Sequence, residues 1–275
     1  MIGTCVLPKQ LFSLAHLTVM NCPPPEMTYL AARAGYDFVS LRIIPMGLPG
    51  EPRYELSKDR AMFRQTRAAL AETGLQLLDI ELARILSGVD VKTYVPAMEV
   101  AVELGCHHLI TSGWSADQSL VLDKFSELCD LALPLGVTVN FEPVAFADFA
   151  SLASVYDIVK TAGRPNGGVL IDALHFALTG TKIAELAEIP AGRFHLAQLC
   201  DARLPPGASH DEELAIARGK RLYLGEGDID VAAIAAGLPH IPFSLEMPNA
   251  ERAKSLGYEE YARLCLAGAR QYFGG

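Results

Sequence analysis

The chain has 275 residues, of which 51% are hydrophobic and 20% charged, and its formal net charge is −9. This composition provides enough apolar material for a sizeable core and excludes an intrinsically disordered chain. The acidic balance also disfavours a nucleic-acid partner, which would require clustered lysine and arginine. We therefore expect a globular protein that does not bind nucleic acid.

Three features of the sequence bear on its cellular compartment. No apolar run approaches the roughly 18 residues of a membrane-spanning helix, and the N-terminal segment lacks the charged and apolar regions of a secretory signal. The cysteines have no CxxC pair, which is typical of reduced, mostly buried thiols. They are Cys5, Cys22, Cys106, Cys129, Cys200 and Cys265. We expect a cytoplasmic protein without a membrane partner.

Short apolar runs recur along the chain and predict its strands. The runs are continuous or nearly so, as expected for strands that are buried on both faces of a parallel sheet. In chain order the predicted strands are 12–18, 37–43, 75–81, 107–113, 137–142, 167–172, 193–199 and 242–247.

Amphipathic segments between these runs predict helices. The first has proline in its first turn, and the first five end on glycine, which is the usual punctuation of a helix. The predicted helices are 24–35, 58–74, 89–105, 119–136, 146–163 and 258–273.

The alternation of eight strands with helices predicts one (β/α)₈ TIM barrel, a single domain over residues 1–275. A doubly wound open sheet would have a glycine-rich phosphate turn after the first strand, and LTVMNCPPP contains none. The long stretch 200–228 follows the seventh strand. A loop of this length is usually functional or contains further helix, and in a barrel it lies on the face that carries the active site.

An oxygen-bearing side chain ends each of the last four predicted strands. They are Glu142, Asp172, Gln198 and Glu246. One such residue is more often a helix cap, but four at equivalent positions on adjacent strands converge at one end of a barrel. Hard oxygen ligands suit Mg²⁺, Mn²⁺ or a similar divalent cation, so the pattern predicts a metal site.

The motifs around these positions resemble the xylose isomerase-like TIM-barrel superfamily, the sugar phosphate isomerases and epimerases. They are NFEP, LIDALHF, QLCDA, RLYLGEGDID and SLEMP, and the resemblance spans essentially the whole chain. It implies an enzyme with a divalent metal (Mg²⁺, Mn²⁺, Co²⁺ or Zn²⁺) and a small polyhydroxylated substrate. Members of the superfamily are frequently dimers or tetramers, so it also implies a homo-oligomer.

The resemblance also implies roles for single residues. The four oxygen-bearing residues would bind the metal, and His175 would contact the substrate. Glu142 and Glu246 would be the catalytic bases on either side of it, as a two-base epimerisation requires. Many epimerases have histidine where this chain has Gln198, whereas 3-dehydroshikimate dehydratases, in the same superfamily, tend to have glutamine.

Further residues are candidates for substrate binding because they lie near predicted strand ends or in the long loop. They are His16, Arg42, Glu81, Trp114, Arg203 and Arg221. Arginine binds carboxylate or phosphate in a bidentate way, although a single arginine near a strand end is also often in a surface ion pair. Together with Arg218, Lys220 and two glycines, Arg221 suggests an anion-binding lid. The alternative is a solvated charged face.

Two reactions are compatible with this site. A metal-dependent isomerase or epimerase would remove a proton next to a carbonyl and return it, whereas a lyase would remove the same proton and then expel hydroxide. The lyase could resemble 3-dehydroshikimate dehydratase or inosose dehydratase. A barrel that binds sugar without catalysis would not need both glutamates.

Overall fold

A closed barrel of eight parallel strands forms the centre of the protein. The computed structural model describes residues 9–47 and 50–274. The strands are β1 Phe12–Ala15, β2 Phe38–Arg42, β3 Gln76–Ile85, β4 His108–Gly113, β5 Thr138–Phe141, β6 Gly167–Asp172, β7 Phe194–Leu199 and β8 Phe243–Leu245. They pair in chain order and β8 closes on β1, so the predicted TIM barrel is confirmed.

Helices follow the strands and pack outside the barrel. They are α1 Pro24–Ala34, α2 Arg60–Thr73, α3 Val95–Glu103, α4 Gln118–Ala132, α5 Leu152–Ala162, α6 Ala173–Leu178, α7 Ile183–Leu186, α8 His210–Gly219, α9 Val231–Ala236, α10 Ala250–Leu256 and α11 Tyr258–Tyr272.

Local capping explains where the helices begin and end. The predicted helix 146–163 begins only at Leu152, because the Ser151 side chain caps α5 by accepting from the backbone N–H of Ser154. Gly35 and Gly74 adopt the left-handed conformation at the ends of α1 and α2, which glycine allows without strain. The first strand is shorter than predicted, since a 3₁₀ turn replaces it from His16.

The described residues contain a second, smaller apolar cluster in addition to the main core. It consists of Leu78, Leu82, Ile110, Leu170 and Leu196. On the side of β1, β2, β3 and β8, the interior contains a polar group. Its members are Ser13, Ser40, Asp79 and Ser244, which are joined through the Ser40 hydroxyl.

His195 lies at the opposite end of the barrel from the predicted metal site. It is the second residue of β7, its Nδ1 is 2.7 Å from the Asn140 Oδ1, and its ring stacks on His108. These contacts give His195 a structural role at that end of the barrel.

The long segment between β7 and β8 is attached to the barrel by one buried carboxylate. Asp201 accepts hydrogen bonds from the backbone N–H groups of Ala202, Gly225, Gly227 and Ile229 at 2.8–3.1 Å. Gly225 and Gly227 were predicted to approach a bound anion, and in the structure they donate to the buried carboxylate of Asp201. Because Asp201 also exchanges backbone hydrogen bonds with Leu222, the neighbouring Arg221 is held at the barrel mouth.

The described cysteines are free and buried, as predicted; Cys5 lies outside the described residues. Burial raises the pKa of each thiol, to about 12 for Cys22, Cys129, Cys200 and Cys265 and further for Cys106. These thiols are therefore protonated at neutral pH. Within residues 9–47 and 50–274, no helix has the length and apolar character that crossing a membrane requires.

We predict that Gly227→Ala destabilises the fold, because a Cβ at this position would lie 2.2 Å from the Asp201 Oδ1 and 2.3 Å from the Ala202 carbonyl oxygen. The free energy of unfolding should fall by about 2–3 kcal/mol in urea titrations followed by circular dichroism. The matched control is Gly192→Ala, whose Cβ would meet no atom within 4 Å. Equal stabilities for the two variants would contradict the prediction.

Candidate functional site

A cleft of about 590 Å³ opens at the C-terminal ends of the strands. Its floor is polar and contains Arg42, Glu81, Glu142, His175, Gln198, Arg221 and Glu246. Its walls are largely apolar and include Leu17, Met20, Met46, Leu82, Trp114, Val144, Phe146 and Leu214. A cavity of this size and lining is typical of a small-molecule site.

Glu142, Asp172 and His175 form one buried cluster, and Glu142 and His175 line the floor of this cleft. Each offers a ligand atom, and these atoms lie within 4.8 Å of one another. Asp172 ends β6 and caps α6, because its Oδ1 accepts from the backbone N–H groups of Leu174 and His175 at 2.7 and 3.1 Å. The strand-to-helix turn therefore fixes the carboxylate and the imidazole together.

The imidazole of His175 has a defined tautomer. Its Nδ1 is 3.3 Å from the backbone N–H of Ala145 and accepts from it. Burial lowers its pKa to about 4 despite the neighbouring Asp172 carboxylate, so the ring is neutral at neutral pH. The proton is then on Nε2, which lies 3.9 Å from the Glu142 Oε1.

Arg221 joins this cluster to Glu246. Its Nη1 is 2.6 Å from the Asp172 Oδ2 and 3.1 Å from the Glu246 Oε2, and the guanidinium is almost completely buried. The residue was predicted to bind substrate. In the structure it neutralises two of the four predicted metal ligands.

Gln198 contacts two carboxylates on the other side of the floor. Its Nε2 lies 3.4 Å from the Glu81 Oε2 and 3.3 Å from the Glu246 Oε1. Glu81 also pairs with Arg42, whose Nε is 3.1 Å from the Glu81 Oε1. The Oε1 of Gln198 is buried and has no hydrogen-bond partner among the described residues.

The environment separates the pKa values of the buried carboxyls. Burial and the carboxylates of Asp172 and Glu246 raise the pKa of Glu142 well above its ordinary value. Burial raises the pKa of Glu246 to about 8 although Arg221 opposes it. Burial acts in the same direction on Asp172, but Arg221 and His175 outweigh it and the pKa falls to about 2. Arg221 lies closer to Asp172 than to Glu246, which explains why one pKa falls and the other rises.

This donor set fits a divalent cation. Three carboxyls lie at one end of the barrel together with an amide oxygen that the described residues leave without a hydrogen-bond partner, and such oxygens are the ligands that hard cations prefer. Burial first, and then the neighbouring carboxylates, raise the pKa values of Glu142 and Glu246, and a bound cation would favour their ionised forms. Arg221 is the buried cation in contact with Asp172 and Glu246.

The other predicted substrate-binding residues divide into two groups. Arg42, Glu81 and Trp114 line the cleft. His16 is buried outside it, with its ring nitrogens engaged by the Cys22 carbonyl and the backbone N–H of Arg42. Arg203 is exposed and pairs with an aspartate, with its Nη1 2.7 Å from the Asp228 Oδ1.

The cleft also contains residues that the sequence analysis did not select. Helix α8 lines the cleft with His210 and Leu214, and also with Arg218, which was predicted as part of an anion-binding lid. Phe146 lies edge-on to the rings of both His175 and His210, with centroid distances of 5.5 Å. The capping box from Ser209 to Glu212 was a recognisable signal for α8. No sequence pattern indicated the contacts of Phe146.

The family model of the xylose isomerase-like TIM barrel matches residues 29–266. The chain belongs to this family. The closed barrel and the polar floor at its C-terminal end are the features that the sequence motifs predicted.

Relatives in this family have different activities. An inosose isomerase of Bacillus subtilis is 28% identical over 158 residues, which is 54% of each chain. A 3-dehydroshikimate dehydratase of Pseudomonas aeruginosa is 23% identical over 256 residues, 86% of this chain and 38% of that one. The matches thus span about half, or less, of the length of these relatives.

The barrel is also similar to the crystal structure of the IolI protein with a bound zinc atom. The TM-score is 0.78 at 22% sequence identity, and the superposition covers 96% of this chain and 98% of that one. At this level of identity the comparison establishes the shared fold.

We predict that Arg221→Met destabilises the metal-free protein, because Asp172 and Glu246 would then share a buried site without their cation. Breaking a buried ion pair from one side lowers the free energy of unfolding by about 3–5 kcal/mol. Thermal and urea unfolding measure the loss, and Mn²⁺ should restore part of it. The control is Arg263→Met, which breaks an exposed pair with Glu260 worth under about 1 kcal/mol. Equal losses would contradict the prediction.

We also predict a pH dependence for the metal-free protein. Native Glu246 keeps its proton up to a pKa of about 8, whereas the unfolded chain releases it near 4.5. The native state binds more protons between these values, so the free energy of unfolding falls as the pH rises. His175 opposes this trend only below its ordinary pKa of 6.5. From pH 6.5 to 8 we expect a loss of about 1–2 kcal/mol in urea titrations.

Glu246→Gln removes this titrating group and should make the slope shallower in that window. The control is Glu188→Gln, an exposed glutamate on the surface, which should keep the wild-type slope. If Glu246→Gln kept the full slope, the loss of stability would have another source.

Proposed function

We propose that the protein is a divalent-metal-dependent isomerase or epimerase of a small polyhydroxylated ketone, such as a sugar, an oxidised polyol or a sugar phosphate. The observation that carries this proposal is the pair Glu142 and Glu246. Both carboxyls line the same cleft and both have a raised pKa. They follow β5 and β8, which are three positions apart around the barrel, so they approach a substrate from different sides.

Glu142, Asp172, Gln198 and Glu246 would hold the metal. When bound, a divalent cation polarises the oxygens of a hydroxy-ketone and acidifies the hydrogen on the adjacent carbon. Mg²⁺, Mn²⁺, Co²⁺ and Zn²⁺ are all compatible with these ligands, and the zinc atom of the IolI structure supports a divalent ion.

The two glutamates divide the proton transfer between them. One carboxylate removes the proton from the carbon that bears the hydroxyl group, which leaves an enediolate in the substrate. The other carboxyl returns a proton to the opposite side of that carbon, which inverts it. If the proton is returned to the neighbouring carbon instead, and the hydroxyl proton passes from one oxygen of the enediolate to the other, the carbonyl group moves. A carboxyl group can both accept and donate a proton, so it is suited to both halves of the transfer.

His175 and Phe146 would orient the substrate. The Nε2–H of the neutral imidazole faces the cleft near Glu142 and can donate to a substrate oxygen. Phe146 packs edge-on against His175 and limits the rotation of its ring. The apolar walls exclude water from the enediolate, which protects it from side reactions.

A lyase is the second candidate, and Gln198 is the observation that favours it. Glutamine at this position resembles the 3-dehydroshikimate dehydratases, and the relative of that name aligns with 86% of this chain. The reaction would begin with the same proton abstraction. The hydroxyl group on the next carbon would then take up the abstracted proton from the carboxyl group and leave as water, assisted by a hydrogen bond from the Nε2–H of His175, and an enone would form.

Proton exchange distinguishes the two reactions. We expect the metal-loaded protein in D₂O to introduce deuterium into hydroxy-ketones and to form a new isomer without loss of a hydroxyl group, as measured by NMR. EDTA should abolish the exchange and Mn²⁺ should restore it. Growth of enone absorbance with 3-dehydroshikimate would instead support the lyase.

Single substitutions assign the exchange to this site. Glu142→Gln and Glu246→Gln should each lower the exchange rate by about 10²–10⁴-fold, because a positioned proton-transfer group contributes that much. Glu188→Gln is the surface control and should exchange at the wild-type rate. If the metal-loaded protein showed neither deuterium exchange nor enone formation with any of these compounds, a barrel that only binds its ligand would be favoured.

A further inference from the structure

The amide of Gln198 has an orientation that its neighbours determine. Its Nε2 lies between the Glu81 Oε2 and the Glu246 Oε1, at 3.4 and 3.3 Å, and donates to both. Reversing the amide would place its oxygen against the Glu81 carboxylate, which pairs with Arg42 and acts as an acceptor, and this is electrostatically unfavourable. The Oε1 therefore faces away from both carboxylates, where the described residues provide it with no hydrogen-bond partner.

A buried carbonyl oxygen without a partner is costly, and it is consistent with a ligand that would bind there. An amide oxygen binds a hard cation through its lone pair, but only when the NH₂ group is turned away. Gln198 could turn either the oxygen or the NH₂ group of its amide towards the cation, and only the oxygen is a metal ligand. Its fitness as a ligand depends on what its nitrogen contacts.

The Gln198 Nε2 donates to Glu81 and to Glu246, and of these two residues only Glu246 is a candidate metal ligand. The second oxygen of Glu81, Oε1, pairs with the Nε of Arg42 at 3.1 Å, and both side chains are largely buried. Arg42 is itself fixed, because its backbone N–H donates to the Nδ1 of His16. The His16 Nε2 then donates to the Cys22 carbonyl. These contacts hold the Glu81 carboxylate in place and balance its charge.

We propose that Glu81 is a positioning residue that orients the Gln198 amide, so that the Oε1 of Gln198 is presented to a divalent cation. Arg42 and His16 hold Glu81 in this role. The inference rests on the proposed metal site. His16, Arg42 and Glu81 were candidates for substrate binding, and the proposal gives them a function in forming the metal site.

Metal affinity tests this role without any assay of catalysis. Mn²⁺ and Zn²⁺ affinities would be measured by calorimetry and chelator competition for the wild type and for Glu81→Gln, Glu81→Asp and Gln198→Ala. We expect each variant to bind about 10–100-fold more weakly, the range typical of residues that orient a ligand. Glu81→Asp is the decisive variant, because it keeps the charge but shortens the reach to Gln198.

The double variant Glu81→Gln/Gln198→Ala separates orientation from charge. If Glu81 acts through Gln198, the double variant should bind as Gln198→Ala does, within about twofold, because no amide remains to be oriented. The absorption spectrum of bound Co²⁺ should change in the same way in Glu81→Gln and in Gln198→Ala. Urea titration without metal checks that each variant is folded.

Three results would overturn the proposal. Wild-type affinity in Glu81→Asp and Glu81→Gln, with weaker binding in Gln198→Ala, would refute the positioning role and leave the metal site intact. A further loss in the double variant, as large as that of Glu81→Gln alone, would assign Glu81 a purely electrostatic effect. Absence of metal binding by the folded wild type would refute the proposed metal site and this inference together.

Discussion

Charge balance among the carboxyl groups at the mouth of the barrel is the constraint on which the rest of the site depends. Asp172 ends β6 and Glu246 follows β8, with β7 between these two strands, and both residues are almost completely buried. Arg221 contacts them at 2.6 and 3.1 Å. An unpaired buried charge is far more costly than a paired one. The segment that carries Arg221 must therefore be held firmly against the barrel.

The structure meets this requirement with the buried carboxylate of Asp201. Its oxygens accept from four backbone N–H groups, and its own backbone pairs with Leu222. The Asn249 side chain adds a hydrogen bond to the Arg221 carbonyl oxygen at 2.9 Å. The long connection after β7 is thus part of the construction of the site, and its helix α8 covers the cleft.

The same charge balance gives similar carboxyl groups different properties. Asp172 is close to Arg221 and to two backbone N–H groups, so it is ionised, whereas Glu142 and Glu246 retain protons more readily. The metal-free site thus combines one ionised carboxylate with two carboxyls of raised pKa. Arg42, Glu81 and Gln198 extend the network to the other side of the floor.

The sequence by itself determined the barrel and the positions of its most important side chains. Buried parallel strands need continuous apolar runs and helices need caps, so both elements leave local patterns, and the residues at the strand ends could be read as a convergent set. Only the tertiary structure decided the partners of those residues. Arg221 reaches Asp172 over 49 residues and Gln198 reaches Glu81 over 117, and no local pattern encodes contacts at such separations. For the same reason, only the tertiary structure showed that His16 and Arg203 lie outside the cleft and that the glycines of the long loop surround Asp201.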